Sequence, residues 1–271
     1  MLIITKALWV LKFVFLGMLK IVLLGTGNLA VHLFDALATN KFATVIQVFG
    51  RNKEALSYFQ DRTDITDSKD NIRDADLYIC AVSDDAIKAV SQYPRHKEAI
   101  ILHCSGAVPL TALPGDCKRG VFYPLQTFSK GRSIDFTKVP ICVEAENNEV
   151  LEVLLALGKS ISETCVAIDS DQRKALHLAA VFANNFTNHL FERAAAICAD
   201  NKLPFNLLKP LIEETVAKLD TLSPLEAQTG PARRGDQYTQ EKHLNLMTDL
   251  RDREIYRILS QAIEEKYGNQ L

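Results

Sequence analysis

Residues Gly25 to Ala30, "GTGNLA", set two glycines and an alanine at the spacing G-x-G-x-x-A, which suits the pyrophosphate of a dinucleotide. The chemistry belongs to the backbone. Gly25 permits a sharp turn, Gly27 lets the main chain approach the phosphates, and Ala30 allows a helix to pack closely on the preceding strand. Thr26, Asn28 and Leu29 complete the turn, and free N–H groups at the helix start face the anion. Further on, "GRNKE" places Arg51 and Asn52 where the ribose is read, and no Asp or Glu lies between Asp35 and Glu54 to accept a 2′-hydroxyl. An arginine there accommodates a 2′-phosphate and stacks on adenine, so the sequence predicts NADP(H) over NAD(H). The competing assignment makes Arg51 a solvated loop charge and Asn52 a helix N-cap.

A second set lies in "DSDQRKALHLAAVFANNFTNHLFERAAAICADN", which contains neither Pro nor Gly. Lys174, His177, Asn184 and Asn188 recur there at helical spacing and form one polar stripe, while Leu176, Ala179, Ala183, Phe186 and Leu190 lie on another face able to supply packing. The stripe either faces a cleft or is solvated and capped by neighbours. A third stretch, "SPLEAQTGPARRGDQYTQEKHL", crowds turn residues, hydroxyls and charge between two helical patterns. Thr229 and Arg234 there suit an anionic substrate; the alternative is a plain connection in which Gly230 ends a turn and Asp236 caps the next helix. Cys104 follows His103, but neighbours on a strand point to opposite faces, which excludes a nucleophilic pair. The six cysteines include no C-x-x-C and mostly sit in apolar runs. They predict buried thiols in a reducing cytoplasm, with neither a disulfide frame nor a metal site.

The elements that must position these residues follow from the apolar pattern. Leu19 to Leu24 forms an apolar run suited to a strand buried on both faces, and Leu29, Leu33, Phe34 and Leu37 then recur at helical spacing. Further strands are predicted at Thr44 to Gly50, Asp76 to Val82, Ala99 to Cys104, Gly120 to Tyr123, Pro140 to Glu144 and Glu163 to Ile168. Helices are predicted near Asp84 and in "NNEVLEVLLALGKSI". In open α/β sheets ligands bind beyond the carboxyl ends of strands, so Ala81, Val82 and Ser83, with Ser105 and Gly106, should border the nicotinamide end of the cofactor. From Asp169 the pattern is helical throughout, with segments from Pro204 to about Leu222, Gln237 to about Met247 and Asp249 to about Tyr267.

The expected architecture is α/β: a doubly wound, mostly parallel Rossmann sheet over residues 18–168, then an all-α domain over 169–271 for substrate binding and dimerisation. With 271 residues, 48% hydrophobic, the chain has material for two cores. Thirty-one basic and 33 acidic side chains nearly cancel, so no long-range field gathers nucleic acid or an anionic membrane. The opening "MLIITKALWVLKFVFLG" resembles a signal peptide superficially. However, Lys6 and Lys12 interrupt it, and it is too short to span a bilayer, so residues 1–17 are expected to be an extension outside the fold.

Taken together, "GTGNLA", "GRN", "HCSGA", "YPLQTF", "HLAAVFANNFTNHL" and "TGPARRGD" give the chain, from about Met18 onward, a resemblance to a family. It resembles NADP-dependent reductases with a Rossmann domain and a C-terminal helical domain. These include pyrroline-5-carboxylate reductase, ketopantoate reductase, and the 6-phosphogluconate and 3-hydroxyisobutyrate dehydrogenases. Within them it is most similar to oxidoreductases whose helical part is a domain of unknown function. The resemblance implies NADPH at the carboxyl edge of the sheet, a small-molecule substrate and a homodimer. It also implies proton transfer by a lysine on the first long helix with His or Asn nearby, which here are Lys174, His177 and Asn184. Leu178 stands where 6-phosphogluconate dehydrogenase has an asparagine directly after its histidine. The expected function is hydride transfer between NADP(H) and a small carbonyl or imine compound. Lys174 or His177 would be the proton donor, and Ser105, Gly106, Gln126, Asn184, Thr229 and Arg234 the substrate contacts. A non-catalytic NADP-binding redox sensor or regulatory module is the alternative.

Overall fold

A computed structural model describes residues 18–94, 96 and 98–267; the expectation for residues 1–17 lies outside them. The chain forms two compact units, one ending at Phe182 and the other starting at Ala183.

The first unit is built on β1 (Leu19–Leu24), α1 (Asn28–Leu37), β2 (Ala43–Phe49), α2 (Lys53–Leu56), β3 (Asp64–Thr66), β4 (Leu77–Cys80) and α3 (Asp84–Val90). It continues through β5 (Ile100–His103), β6 (Lys118–Pro124), β7 (Ile141–Ala145), α4 (Asn148–Lys159) and β8 (Cys165–Ala167). The strands make one sheet in the order β3-β2-β1-β4-β5-β6-β7-β8. All neighbours are parallel except β6 and β7. This is the expected mostly parallel, doubly wound arrangement, and its order reverses between β1 and β4, the point at which sheets of this kind take their ligands beyond the carboxyl ends.

Alternation along β1 explains the two layers. Ile21 and Leu23 pack with Leu33 and Phe34 of α1 and Leu154 of α4 on one side. Val22 and Leu24 pack with Ile87 of α3 on the other. Both faces are covered, so the strand reads as a continuous apolar run. In α1, Ala30, Leu33, Phe34 and Leu37 are buried at helical spacing. Each large side chain so buried stabilises the unit by roughly 1.5–3 kcal/mol.

After β8 comes α5 (Ser170–Ala180). The Asp169 carboxylate accepts hydrogen bonds from the Asp171 and Gln172 backbone N–H groups, and the Gln172 side chain accepts from the Asp169 N–H, forming a capping box. The compact units part at Phe182 and not at Asp169 because α5 is tied to the sheet by Arg173, which is fully buried, and Leu176, which packs on Val121, Tyr123 and Cys142. A π-helical segment, Val181–Phe186, follows.

The second unit contains α6 (Thr187–Asp200), α7 (Lys209–Ala217), α8 (Pro224–Ala227), α9 (Gln237–Leu246) and α10 (Leu250–Tyr267). Its apolar side chains are largely uncovered. Leu190, Ile197, Leu211, Val216, Leu219 and Ile258 are exposed, and among the described residues of this unit only Ala232, Gln240, Ser260 and Tyr267 are buried. Of the residues expected to supply packing on that helix, Ala179, Ala183, Phe186 and Leu190 are exposed, and Leu176 is half-buried. Among the described residues no helix is long and apolar enough to cross a membrane.

Candidate functional site

The turn after β1 is shaped by what glycine lacks. Gly25 adopts φ +131°, and a Cβ there would stand 2.1 Å from the Ala81 carbonyl oxygen, so only glycine lets β1 turn so close to the end of β4. Ala81 and Val82 both border this turn. Gly27 is the N-cap of α1 and offers no side chain to its free N–H groups. A Cβ there would meet nothing within 4 Å, which leaves open room in front of a helix N-terminus. Thr26 sits against Gly50 at the end of β2, Leu29 is half-buried, Ala30 is fully buried, and the Asn28 amide donates to the Phe128 carbonyl at 3.0 Å.

Arg51 is exposed beyond β2. Asn52 caps α2, its side chain accepting from the Ala55 N–H at 3.1 Å, so this residue follows the capping assignment. Ser83 is exposed at the N-cap position of α3 and makes no side-chain cap bond.

Beyond β5 a second cluster forms. The Ser105 hydroxyl accepts hydrogen bonds from the Ala107 and Val108 N–H groups at 3.1 and 3.0 Å, closing a tight turn. Gly106 lies where a Cβ would stand 2.6 Å from His177 Nδ1 and 2.9 Å from Tyr123 Cζ. His177 thus comes from α5 onto the turn predicted to border the nicotinamide. Its Nδ1 lies 3.0 Å from the hydroxyl of Tyr123, a buried side chain at the carboxyl end of β6. Burial raises the Tyr123 pKa and keeps the phenol neutral.

Arg173 holds the cluster from beneath. Its guanidinium donates to Glu144 at 2.8 Å and to the Val108 and Ser105 carbonyls at 2.7 and 3.3 Å. His103 is also fully buried. Its Nδ1 accepts from the Ser105 N–H at 3.2 Å, and burial together with the Arg173 charge pushes its pKa down to about 4, so it stays neutral. Cys104 is buried and its thiol pKa is raised by desolvation, as for a structural thiol.

The predicted stripe divides. Lys174 is half-exposed and its ammonium lies 3.4 Å from Asp171, one turn back on α5. The π-helical bonding from Val181 shifts the helical count, so the uniform period that aligned Asn184 and Asn188 with His177 does not hold through them. Both asparagines are exposed. Gln126 is exposed and accepts from the Thr127 N–H. In the second unit Thr229 and Arg234 are exposed, while Asp236 caps α9 through the Thr239 N–H and Gly230 adopts φ +110°, as a connection requires. Among the described residues no three His, Cys, Asp or Glu side chains are grouped to hold a metal.

Sequence reasoning missed Tyr123, Arg173 and Glu144. One signal was present: Arg173 and His177 are four apart, so they share a helical face.

A family described as a domain of unknown function, DUF2520, matches residues 139–263. A Bacteroides fragilis protein described as a putative NADP oxidoreductase is 38% identical, with a TM-score of 0.84 over 92% of this chain and 98% of that one. The chain belongs to that oxidoreductase family. A Thermotoga maritima protein matches at 20% identity and TM-score 0.72, over 92% of this chain and 99% of that one. An imine reductase from Myxococcus stipitatus, solved with NADP+, matches at 15% identity and TM-score 0.62, over 91% of this chain and 92% of that one. These two share the fold. No curated protein matches.

Proposed function

We propose that this chain is an NADPH-dependent reductase of a small carbonyl or imine compound. The observation that carries it is His177, held against Gly106 and Tyr123 beyond the carboxyl end of β5, in a sheet whose β1 turn is open for a pyrophosphate. NADP(H) is the cofactor. The Gly25 to Ala30 turn would hold the pyrophosphate, Arg51 the 2′-phosphate, and Ala81 to Ser83 the strand-end border of the nicotinamide. When bound, the reduced nicotinamide supplies hydride. The chain's own part is to orient the acceptor and deliver a proton to its oxygen or nitrogen, from His177 or Lys174. Ser105, Gly106 and Gln126 are the proposed substrate contacts. The six unpaired thiols fit a reducing cytoplasm.

The test is NADPH oxidation followed against a panel of small ketoacids, aldehydes and cyclic imines. Turnover of any class supports a reductase. NADPH binding without turnover across the panel favours the regulatory module. Cofactor choice is tested separately by fluorescence titration. NADPH should bind tightly and NADH weakly, and Arg51→Asp should abolish or reverse that preference by removing the partner of the 2′-phosphate. Equal affinities in the native protein would sink the assignment of Arg51.

The exposed apolar side chains of the helical unit support a homodimer built mainly by that unit. Sedimentation at micromolar concentration should give a species near twice the 30.2 kDa chain mass. A monomer there would remove this proposal.

A further inference from the structure

We propose that His103 is a positioning residue for the turn that carries Gly106, and that it holds this turn only while its own ring is uncharged. The inference rests on the proposed site in that this turn is the one against which His177 stands. His103 ends β5 with a fully buried side chain, and its Nδ1 lies 3.2 Å from the Ser105 nitrogen. A backbone N–H can only donate, so Nδ1 is the acceptor and the neutral ring carries its hydrogen on Nε2. Ser105 is thereby held at its N–H by His103, at its carbonyl by Arg173 at 3.3 Å, and at its hydroxyl by the Ala107 and Val108 N–H groups. Gly106 is the next residue and has no side chain to fix its own place.

A second proton on His103 would undo the first of these bonds. Nδ1–H would then face the Ser105 N–H, donor against donor, while Nε2 is buried with no partner in hydrogen-bond geometry among the described residues. The charged ring would also feel the Arg173 guanidinium of α5. Burial, and after it that charge, lower the His103 pKa to about 4; the Pro109 carbonyl and Asp84 of α3 act the other way and by less. Of its register partners, Cys80 on β4 is kept a neutral thiol by burial and Val121 on β6 is apolar. Glu144 of β7 is engaged by Arg173. Once the turn opens to water, the ring returns to the ordinary value near 6.5. Because the folded value lies below the open one, linkage makes the contribution to the closed turn complete above about pH 6.5, and it is lost as the pH falls through about 4.

Native-state hydrogen exchange followed by NMR on the full chain tests this without cofactor or substrate. The Ser105 amide protection factor, which already allows for the intrinsic pH dependence of exchange, should fall about 20-fold between about pH 7 and pH 5. It should also stay below that of Leu23, which is fully buried in β1, as local opening requires. His103→Asn places an acceptor oxygen near the position of Nδ1 but takes up no proton, so Ser105 protection should be nearly constant in that variant over the same range. Ser105 protection that is unchanged with pH in the native protein, that falls equally in His103→Asn, or that equals that of Leu23 overturns the inference. Should the variant not fold, the 15N shifts of the His103 ring in the native protein decide. A ring neutral at pH 5 while Ser105 protection falls supports the inference, and a ring charged at pH 5 with Ser105 still protected overturns it. None of these readings uses NADPH turnover, so the reductase assignment stands or falls separately on its own assay.

Discussion

Replacing His177 by glutamine is expected to lower turnover by about 10²–10⁴-fold, the usual scale of a lost general acid, with NADPH affinity nearly unchanged. Glutamine keeps the polarity and much of the bulk that Gly106 and Tyr123 contact, but it carries no transferable proton. Cofactor binding should persist because the proposed pyrophosphate site at Gly25 to Ala30 would act through backbone N–H groups of α1, away from the His177 contacts with Gly106 and Tyr123. Lys174→Met is the companion variant. Lys174 is half-exposed and paired with Asp171, whereas His177 stands on the turn beyond β5. A loss confined to Lys174→Met, with His177→Gln at native turnover, would move the proton to the lysine. Stopped-flow NADPH oxidation on the best substrate of the panel reads both variants, and titration of NADPH fluorescence checks that binding survives.

What the sequence disclosed, it disclosed through periodicity. Alternating burial on both faces of β1 makes an uninterrupted apolar run, and Ala30, Leu33, Phe34 and Leu37 mark the helix that covers it, so the sheet and the turn from strand to helix were legible from residue types alone. Short elements were not. Asp64 to Thr66 spans three residues, too few for an alternation to show, and this strand was missed. The candidate site was legible by half. His177 and Gly106 were each named on separate grounds, and the fold brings them together. Their partner Tyr123 was hidden because a strand-end tyrosine before a proline has the composition of ordinary core. The stripe through Asn184 failed for a different reason: a π-helical segment is a local change of hydrogen bonding that leaves no periodic trace in the residues themselves. Nor could periodicity reveal how uncovered the helical unit is, since an apolar face looks alike whether its own chain or another covers it.

Arg173 gives the second large effect, and it concerns stability. Its side chain is fully buried, paired with Glu144 at 2.8 Å, and donates to two backbone carbonyls of the turn that carries Gly106. Desolvation lowers its pKa, and the Glu144 charge opposes that shift. A pair of this kind contributes little compared with well-packed apolar residues, yet removing one partner strands the other. Arg173→Met leaves Glu144 without its cation and the Ser105 and Val108 carbonyls without donors, so a loss of about 3–5 kcal/mol is expected. That is a large share of the roughly 5–15 kcal/mol that holds a domain together. The double variant Arg173→Met with Glu144→Gln should recover part of the loss, because no buried charge then remains unpaired. Arg173→Lys should fall between, since a single ammonium cannot reach a carboxylate and two carbonyls with the geometry of a planar fork. Urea unfolding gives all of these on one scale. A midpoint for Arg173→Met equal to that of the native protein would show that the pair is dispensable, and that the turn beyond β5 is held by the Ser105 hydroxyl and sheet packing alone.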